Sequence, residues 1–239
     1  MSDSVFDDYF GDNEEKKQEV FSEGDEEALN PNTRVPVCLC LDISSSMSGA
    51  PIDELNKGVQ EFYKAINDDD DAKDSAEVCI VTFNSSTQVL EPFSSIKGNF
   101  TPPTLYASGM TAMGAGVELA LNELEKRKAY YKSNGIDYYQ PFMVLMTDGE
   151  PTDYINQATQ KTCDLEAQKK LTILPIGIGG ANMQILGQFS QLRQPMKLHG
   201  LDFKAFFQWL SKSVSVVSSS TAGNAVNLPN PSGWGSVVP

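Results

Sequence analysis

An α/β fold with a doubly wound, mostly parallel central sheet and helices on both faces is predicted by three features of this chain. Four short apolar runs without polar alternation read as strands buried on both faces: residues 35–41, 76–83, 140–147 and 171–177. Segments with helical spacing separate them, the alternation expected of βαβ units. At 239 residues the chain is long enough for one large domain with a well-buried core.

The elements follow in order. Residues 1–33 are acidic and turn-rich and read as a flexible N-terminal segment, the alternative being that Phe6, Tyr9, Phe10 and Phe21 dock it onto the domain or onto a partner. The run Val35 to Leu41 is the first strand. Pro51 suits the first turn of a helix reaching about Asn67, whose apolar stripe is Ile52, Leu55, Val59, Phe62, Tyr63 and Ile66. Asp68 to Asp71 reads as a solvated loop, Ala76 to Phe83 as the second strand, and Gln88 to Phe93 as a short edge strand. A loop carrying Pro102, Pro103 and Gly109 leads to a helix over about Ala112 to Lys132.

Gln140 to Thr147 is the next buried strand, followed by a helix from about Tyr154 to Lys170. Leu171 to Gly177 is another strand. A short helix near Met183 to Leu192, a short strand at Met196 to Leu198 and a helix from Asp202 to about Ser218 complete the domain, taken as residues 34–218. Residues 219–239, rich in Ser, Asn, Gly and Pro, read as a C-terminal tail.

Composition narrows the function. The formal net charge is −14, and Met1 to Arg34 holds 11 acidic against 3 basic residues, so the remainder is acidic too. Phosphate backbones want clustered Lys and Arg, which argues against a nucleic-acid partner. A metal cation or a basic partner is compatible. No apolar run approaches the ~20 residues of a membrane span. The N-terminus lacks a basic-then-apolar leader pattern, and the expectation is a cytoplasmic protein without a membrane partner. Cys38, Cys40, Cys79 and Cys163 lack paired spacing and read as small core residues rather than a zinc site or disulfides.

Three loops converge at the carboxyl edge of the expected sheet, where such folds bind ligands. One carries Asp42, Ser44 and Ser46 after the first strand, another Thr111, and the third Asp148 in Thr147-Asp148-Gly149. Carboxylate and hydroxyl oxygens suit a small hard cation: Mg2+, or Mn2+ or Ca2+. Zinc or copper would want imidazole or thiolate, and the single histidine, His199, is read as structural or exposed. Glu150, Asp153 and Asp53 are further acidic candidates nearby. Asp153 reads first as an N-cap of the Tyr154 helix, and Asp53 as a favourable charge in a helix's first turn. The Gly177-Ile178-Gly179-Gly180 turn lacks dinucleotide-fingerprint spacing.

With these residues the chain resembles the von Willebrand factor A domain family, over about Arg34 to Ser218. Asp42, Ser44, Ser46, Thr111 and Asp148 match the five positions of that family's metal-ion-dependent adhesion site. Within the family it is most similar to the bacterial tellurium-resistance-associated branch, on Leu41 to Pro51 (LDISSSMSGAP), Ala107 to Gly116 (ASGMTAMGAG), Leu145 to Asp153 (LMTDGEPTD) and Phe206 to Ser215 (FFQWLSKSVS). The resemblance implies a Rossmann-like sheet and a metal held by the three hydroxyls, with the two carboxylates binding directly or through water. It also implies a sixth position open to a protein partner's Asp or Glu, and a setting in stress or tellurite resistance. Ser45 and Met110 stand where the family pattern has glycine, which removes no ligand.

A non-enzymatic, divalent-metal-dependent protein-interaction module is therefore expected. The alternative is a metal-dependent phosphohydrolase with Asp42 as nucleophile. Against it, Ser44 stands where an acid/base Asp would be needed, and no lysine sits by either carboxylate. A metal-free scaffold is the third reading, disfavoured because two converging carboxylates would repel one another.

Overall fold

The computed structural model of the chain describes residues 30–96, 100–220, 227–231, 233 and 235–237. The acidic segment expected at residues 1–33 lies, up to residue 29, outside the described residues. Among the described residues seven strands form one sheet in the order β3-β2-β1-β4-β5-β6-β7. They are β1 (Val35–Asp42), β2 (Ala76–Phe83), β3 (Thr87–Ser95), β4 (Phe142–Thr147), β5 (Thr172–Gly177), β6 (Met196–Leu198) and β7 (Gly235–Val237). Pairings from β2 through β6 are parallel, and the outermost strands β3 and β7 run antiparallel to their neighbours. The helices are α1 (Ala50–Asn67), α2 (Asp70–Ser75), α3 (Met113–Ser133), α4 (Asn156–Ala167), α5 (Met183–Leu186) and α6 (Phe203–Ser218).

Strand alternation divides the core between two layers. Val35, Val37, Leu39 and Leu41 of β1 face α1 and α6, whereas Cys38 and Cys40 face α3 and α4. Both faces of β1 are thus buried, which is why its sequence shows no polar alternation. The four cysteines are free thiols. Gly58 sets the approach of α1 to α6: a Cβ there would lie 2.7 Å from the Phe207 ring and 2.9 Å from Phe203 Cβ. Among the described residues, no helix is long and apolar enough to cross a membrane.

Three elements differ from the sequence reading. Asp68 to Asp71 is not simply a loop, because Asp69 accepts the Ala72 amide at 2.9 Å and caps α2. Asp70 and Asp71 then sit in its first turn, where carboxylates complement the helix dipole. Helix α4 begins at Asn156 rather than Tyr154, for a reason found at the site. Residues 235–237, within the stretch read as a tail, pair with β6 as β7.

The amino-end edge of the sheet is held by a buried ionic cluster. Glu77, second in β2, pairs with Arg34 Nε at 3.2 Å and with Arg127 Nε of α3 at 2.6 Å. It also accepts the Tyr131 hydroxyl. The Arg127 guanidinium stacks 4.6 Å from the Tyr130 ring centroid. At eight residues, β1 puts roughly 26 Å between this cluster and the opposite edge.

Candidate metal centre

Strand order reverses at β1: the chain passes from β1 to β2 on one side and later to β4 on the other. The carboxyl ends of β1 and β4 therefore open a crevice, the position where α/β sheets receive ligands. Asp42 is the last residue of β1, and Asp148 directly follows β4.

Asp42 is buried and firmly oriented. Its Oδ1 accepts the Ser44 amide at 2.7 Å, and its Oδ2 accepts the Thr147 hydroxyl at 2.5 Å. Burial pushes its carboxyl above the ordinary range. Hydrogen bonds from Thr147 and Ser44 pull it back, and the nearby Asp148 charge pushes it up again. Ser44 starts a single 3-10 turn, Ser45–Met47, which turns Ser46 back toward β4. The Ser46 hydroxyl donates to Asp148 Oδ1 at 2.7 Å and lies 3.0 Å from the Ser44 hydroxyl. Since Ser46 gives its hydrogen to Asp148, Ser44 donates to Ser46, and lone pairs remain on both oxygens.

The loop before α3 completes the group. Ser108 N donates to Ile43 O at 2.8 Å, and Ser45 N to Gly109 O at 3.0 Å, lacing this loop to the one after β1. Thr111 is buried beside Gly149: a Cβ on that glycine would lie 3.4 Å from Thr111 Oγ1 and 3.6 Å from Ser46 Oγ. The structure thus brings Asp42, Ser44, Ser46, Thr111 and Asp148 to one place. Ser45 and Met110 fit without strain, since Lys169 is the sole non-glycine with positive φ among the described residues.

Of the further acidic candidates, none joins the five. Asp53 stays in the first turn of α1. Glu150 accepts the Asn182 side-chain amide at 3.0 Å. Asp153 does not cap the helix that follows it. Its two oxygens take the amides of Gly114 (3.0 Å) and Ala115 (2.8 Å), capping α3 from across the crevice, and α4 starts later for lack of that cap. His199 is exposed on a late turn.

Three contributors escaped the sequence reading. Thr147 anchors Asp42 and accepts the Gly149 amide at 3.1 Å. The register pairs Leu41 with Met146, which places Thr147 next to Asp42, so correct strand alignment was the available signal. Thr152 clamps Thr111 from both sides, its hydroxyl accepting the Thr111 amide at 3.2 Å and its own amide reaching Thr111 O at 2.8 Å. Gly114 admits the β4–α4 loop, because a Cβ there would meet Tyr154 O at 2.4 Å. Gly114→Ala is expected to push α3 off this loop, costing about 1–3 kcal/mol by strain and lowering cation affinity. Urea unfolding and calorimetric metal titration on the variant check both.

The donor set fits a hard divalent cation. Five oxygen-bearing side chains converge, two of them carboxylates, and among the described residues no Lys or Arg pairs with Asp42 or Asp148. No group of three or more His, Cys, Asp or Glu side chains among the described residues forms an alternative centre. Hydroxyl-rich oxygen sites favour magnesium, manganese or calcium.

Comparison with known proteins agrees with this architecture. A family model described as the von Willebrand factor type A domain matches residues 37–197. An uncharacterized protein of Synechocystis sp. is 25% identical over 194 residues, covering 74% of this chain. The match takes in 42% of that relative, so the chain spans less than half of its length. Among solved structures, the pilus adhesin SpaC of Lactobacillus rhamnosus GG superposes with a TM-score of 0.61 at 13% identity, over 77% of this chain and 30% of that one. Proximal thread matrix protein 1 of the mussel byssus, solved with a zinc-occupied MIDAS motif, gives 0.52 at 18% identity, over 77% of this chain and 48% of that one.

Proposed function

Because the chain belongs to the von Willebrand factor type A domain family, whose members are metal-dependent adhesion and protein-interaction modules, we propose that it docks a protein partner through a divalent cation. Asp42, Ser44, Ser46, Thr111 and Asp148 hold the ion, directly or through water, and a partner's Asp or Glu takes the open position. One observation carries this reading: two carboxylates and three hydroxyls meet at the sheet's switch point, and among the described residues no Lys or Arg pairs with either carboxylate. Mg2+ is the ion assigned, with Mn2+ and Ca2+ as competitors. The zinc in the mussel protein's motif makes Zn2+ the comparison to include.

The finer setting belongs to the same proposal. The globular unit is residues 34–218 together with β7 (Gly235–Val237), which the Ser/Asn/Gly/Pro-rich stretch adds to its sheet, and an acidic segment precedes it in the sequence. A tellurium-resistance or stress-response context rests on the four sequence stretches alone. A cytoplasmic place is supported by four free thiols, three of them buried. The module works without catalysis, and its partner is neither nucleic acid nor membrane.

Calorimetric titration of chelator-treated protein is expected to give one divalent-cation site per chain. Saturation at about 100 times Kd then adds about 2.7 kcal/mol of stability, read as a raised unfolding temperature. Absence of divalent binding would sink the proposal. Metal-dependent turnover of a phosphate ester, lost in Asp42→Asn, would favour a phosphohydrolase instead.

A further inference from the structure

The edge that carries the proposed metal centre also exposes large side chains. Of five exposed large hydrophobic residues among the described ones, three belong to its loops: Tyr154 (96% exposed), Tyr106 (75%) and Met110 (60%). Single exposed apolar residues need no explanation, but three gathered at one edge do.

The backbone under each is fixed to the site. Met110 immediately precedes Thr111, and its amide donates to Ser85 Oγ at 2.9 Å. Tyr106 lies two residues before Ser108, which is bonded to Ile43 O. Tyr154 follows the Asp153 that caps α3, with its own carbonyl against Gly114. Hydrogen-bonded backbone therefore holds these large side chains out in solvent, where their apolar surface is left unburied by the domain itself.

We propose that this apolar rim selects the partner: a protein segment presenting a single Asp or Glu flanked by aromatic or aliphatic side chains. The inference rests on the metal reading above and adds specificity to it. Charge complementarity argues for the single acid. A divalent cation held by Asp42 and Asp148 leaves a centre of about zero net charge, able to accept one carboxylate. Glu150 is exposed two residues after Asp148 and places a further carboxylate beside the entrance, which penalises a run of acids. Tyr and Met argue for apolar flanks: tyrosine offers broad, stiff contact area, and methionine adapts to irregular surfaces.

The test uses the full chain saturated with Mg2+ and three labelled peptides of equal length, read by fluorescence anisotropy. One peptide carries a single glutamate flanked by phenylalanines, one the same glutamate flanked by serines, and one four consecutive glutamates. The phenylalanine-flanked peptide is expected to bind about tenfold tighter than either other, and chelator is expected to abolish its binding. In the double variant Met110→Ser and Tyr154→Ser, with folding verified by thermal unfolding, that preference should disappear. Equal affinity for the three peptides, or binding of none, would overturn the inference while cation binding by calorimetry left the metal reading standing. Preference that survives chelator would also overturn it, since docking would then bypass the metal. Loss of cation binding altogether would remove the metal reading and this inference together.

Discussion

Replacing Asp148 by alanine is expected to abolish divalent-cation binding while the domain stays folded. The carboxylate is only half-buried, and among the described residues its one hydrogen bond comes from Ser46. Removing it costs about 1 kcal/mol of stability. Affinity suffers far more, because one of the two charges that offset the cation disappears. Altering groups that merely support a metal's ligands already costs roughly 10–100-fold in affinity, so losing a carboxylate of the donor set should exceed about 100-fold. Asp42→Ala should lose the ion as completely but behave differently toward denaturant. It strands the buried Ser44 amide and takes away the close acceptor of the Thr147 hydroxyl, at about 1–3 kcal/mol for each donor left unsatisfied. Paired calorimetric titrations and urea melts separate the two residues. Retained cation binding in Asp148→Ala would contradict the assignment of that carboxylate.

What the sequence disclosed and what it withheld divide along the range of the interactions. The buried strands were legible because a strand covered on both faces must be apolar throughout, as Val35 to Leu41 is. Asp42, Ser44 and Ser46 were legible because they are adjacent, and Asp148 because it ends another such run. Thr147, Thr152 and Asp153 were not, although they sit within five residues of Asp148. Their roles depend on strand register and on which loop lies opposite, and neither is a local property. Asp153 shows the difficulty most clearly. Its position before a helical pattern suggested a cap for that helix, yet tertiary packing offers it the amides of Gly114 and Ala115 instead. Helix α2 was hidden by its acidic composition, which marks solvent contact and a helix start equally well. β7 was hidden because three residues carry too little pattern to read.

Glu77→Gln is expected to produce the largest loss of stability of any change outside the core's apolar residues, with cation affinity unaltered. Glu77 lies in a strand buried at every position, and it faces Arg34, Arg127 and the Tyr131 hydroxyl, all of them donors. Glutamine matches its shape but brings an NH2 group toward those donors and removes the negative charge. Breaking a buried pair from one side typically costs about 3–5 kcal/mol, because the partner's charge stays behind in a poorly solvating interior. For a domain of this size that corresponds to a fall of roughly 6–20 °C in unfolding temperature. The penalty arises from the guanidinium groups left behind rather than from the loss of attraction itself. Adding Arg127→Leu to Glu77→Gln should therefore recover part of it, despite the further loss of the Tyr130 stacking. If the double variant were instead less stable by the sum of both changes, the cluster would be acting as independent contacts. Because the cluster lies at the amino edge and the metal centre at the carboxyl edge, titration of the folded variant with Mg2+ should match that of the unsubstituted chain. A loss of affinity in step with stability would mean that the sheet transmits strain along β1 from Arg34 to Asp42.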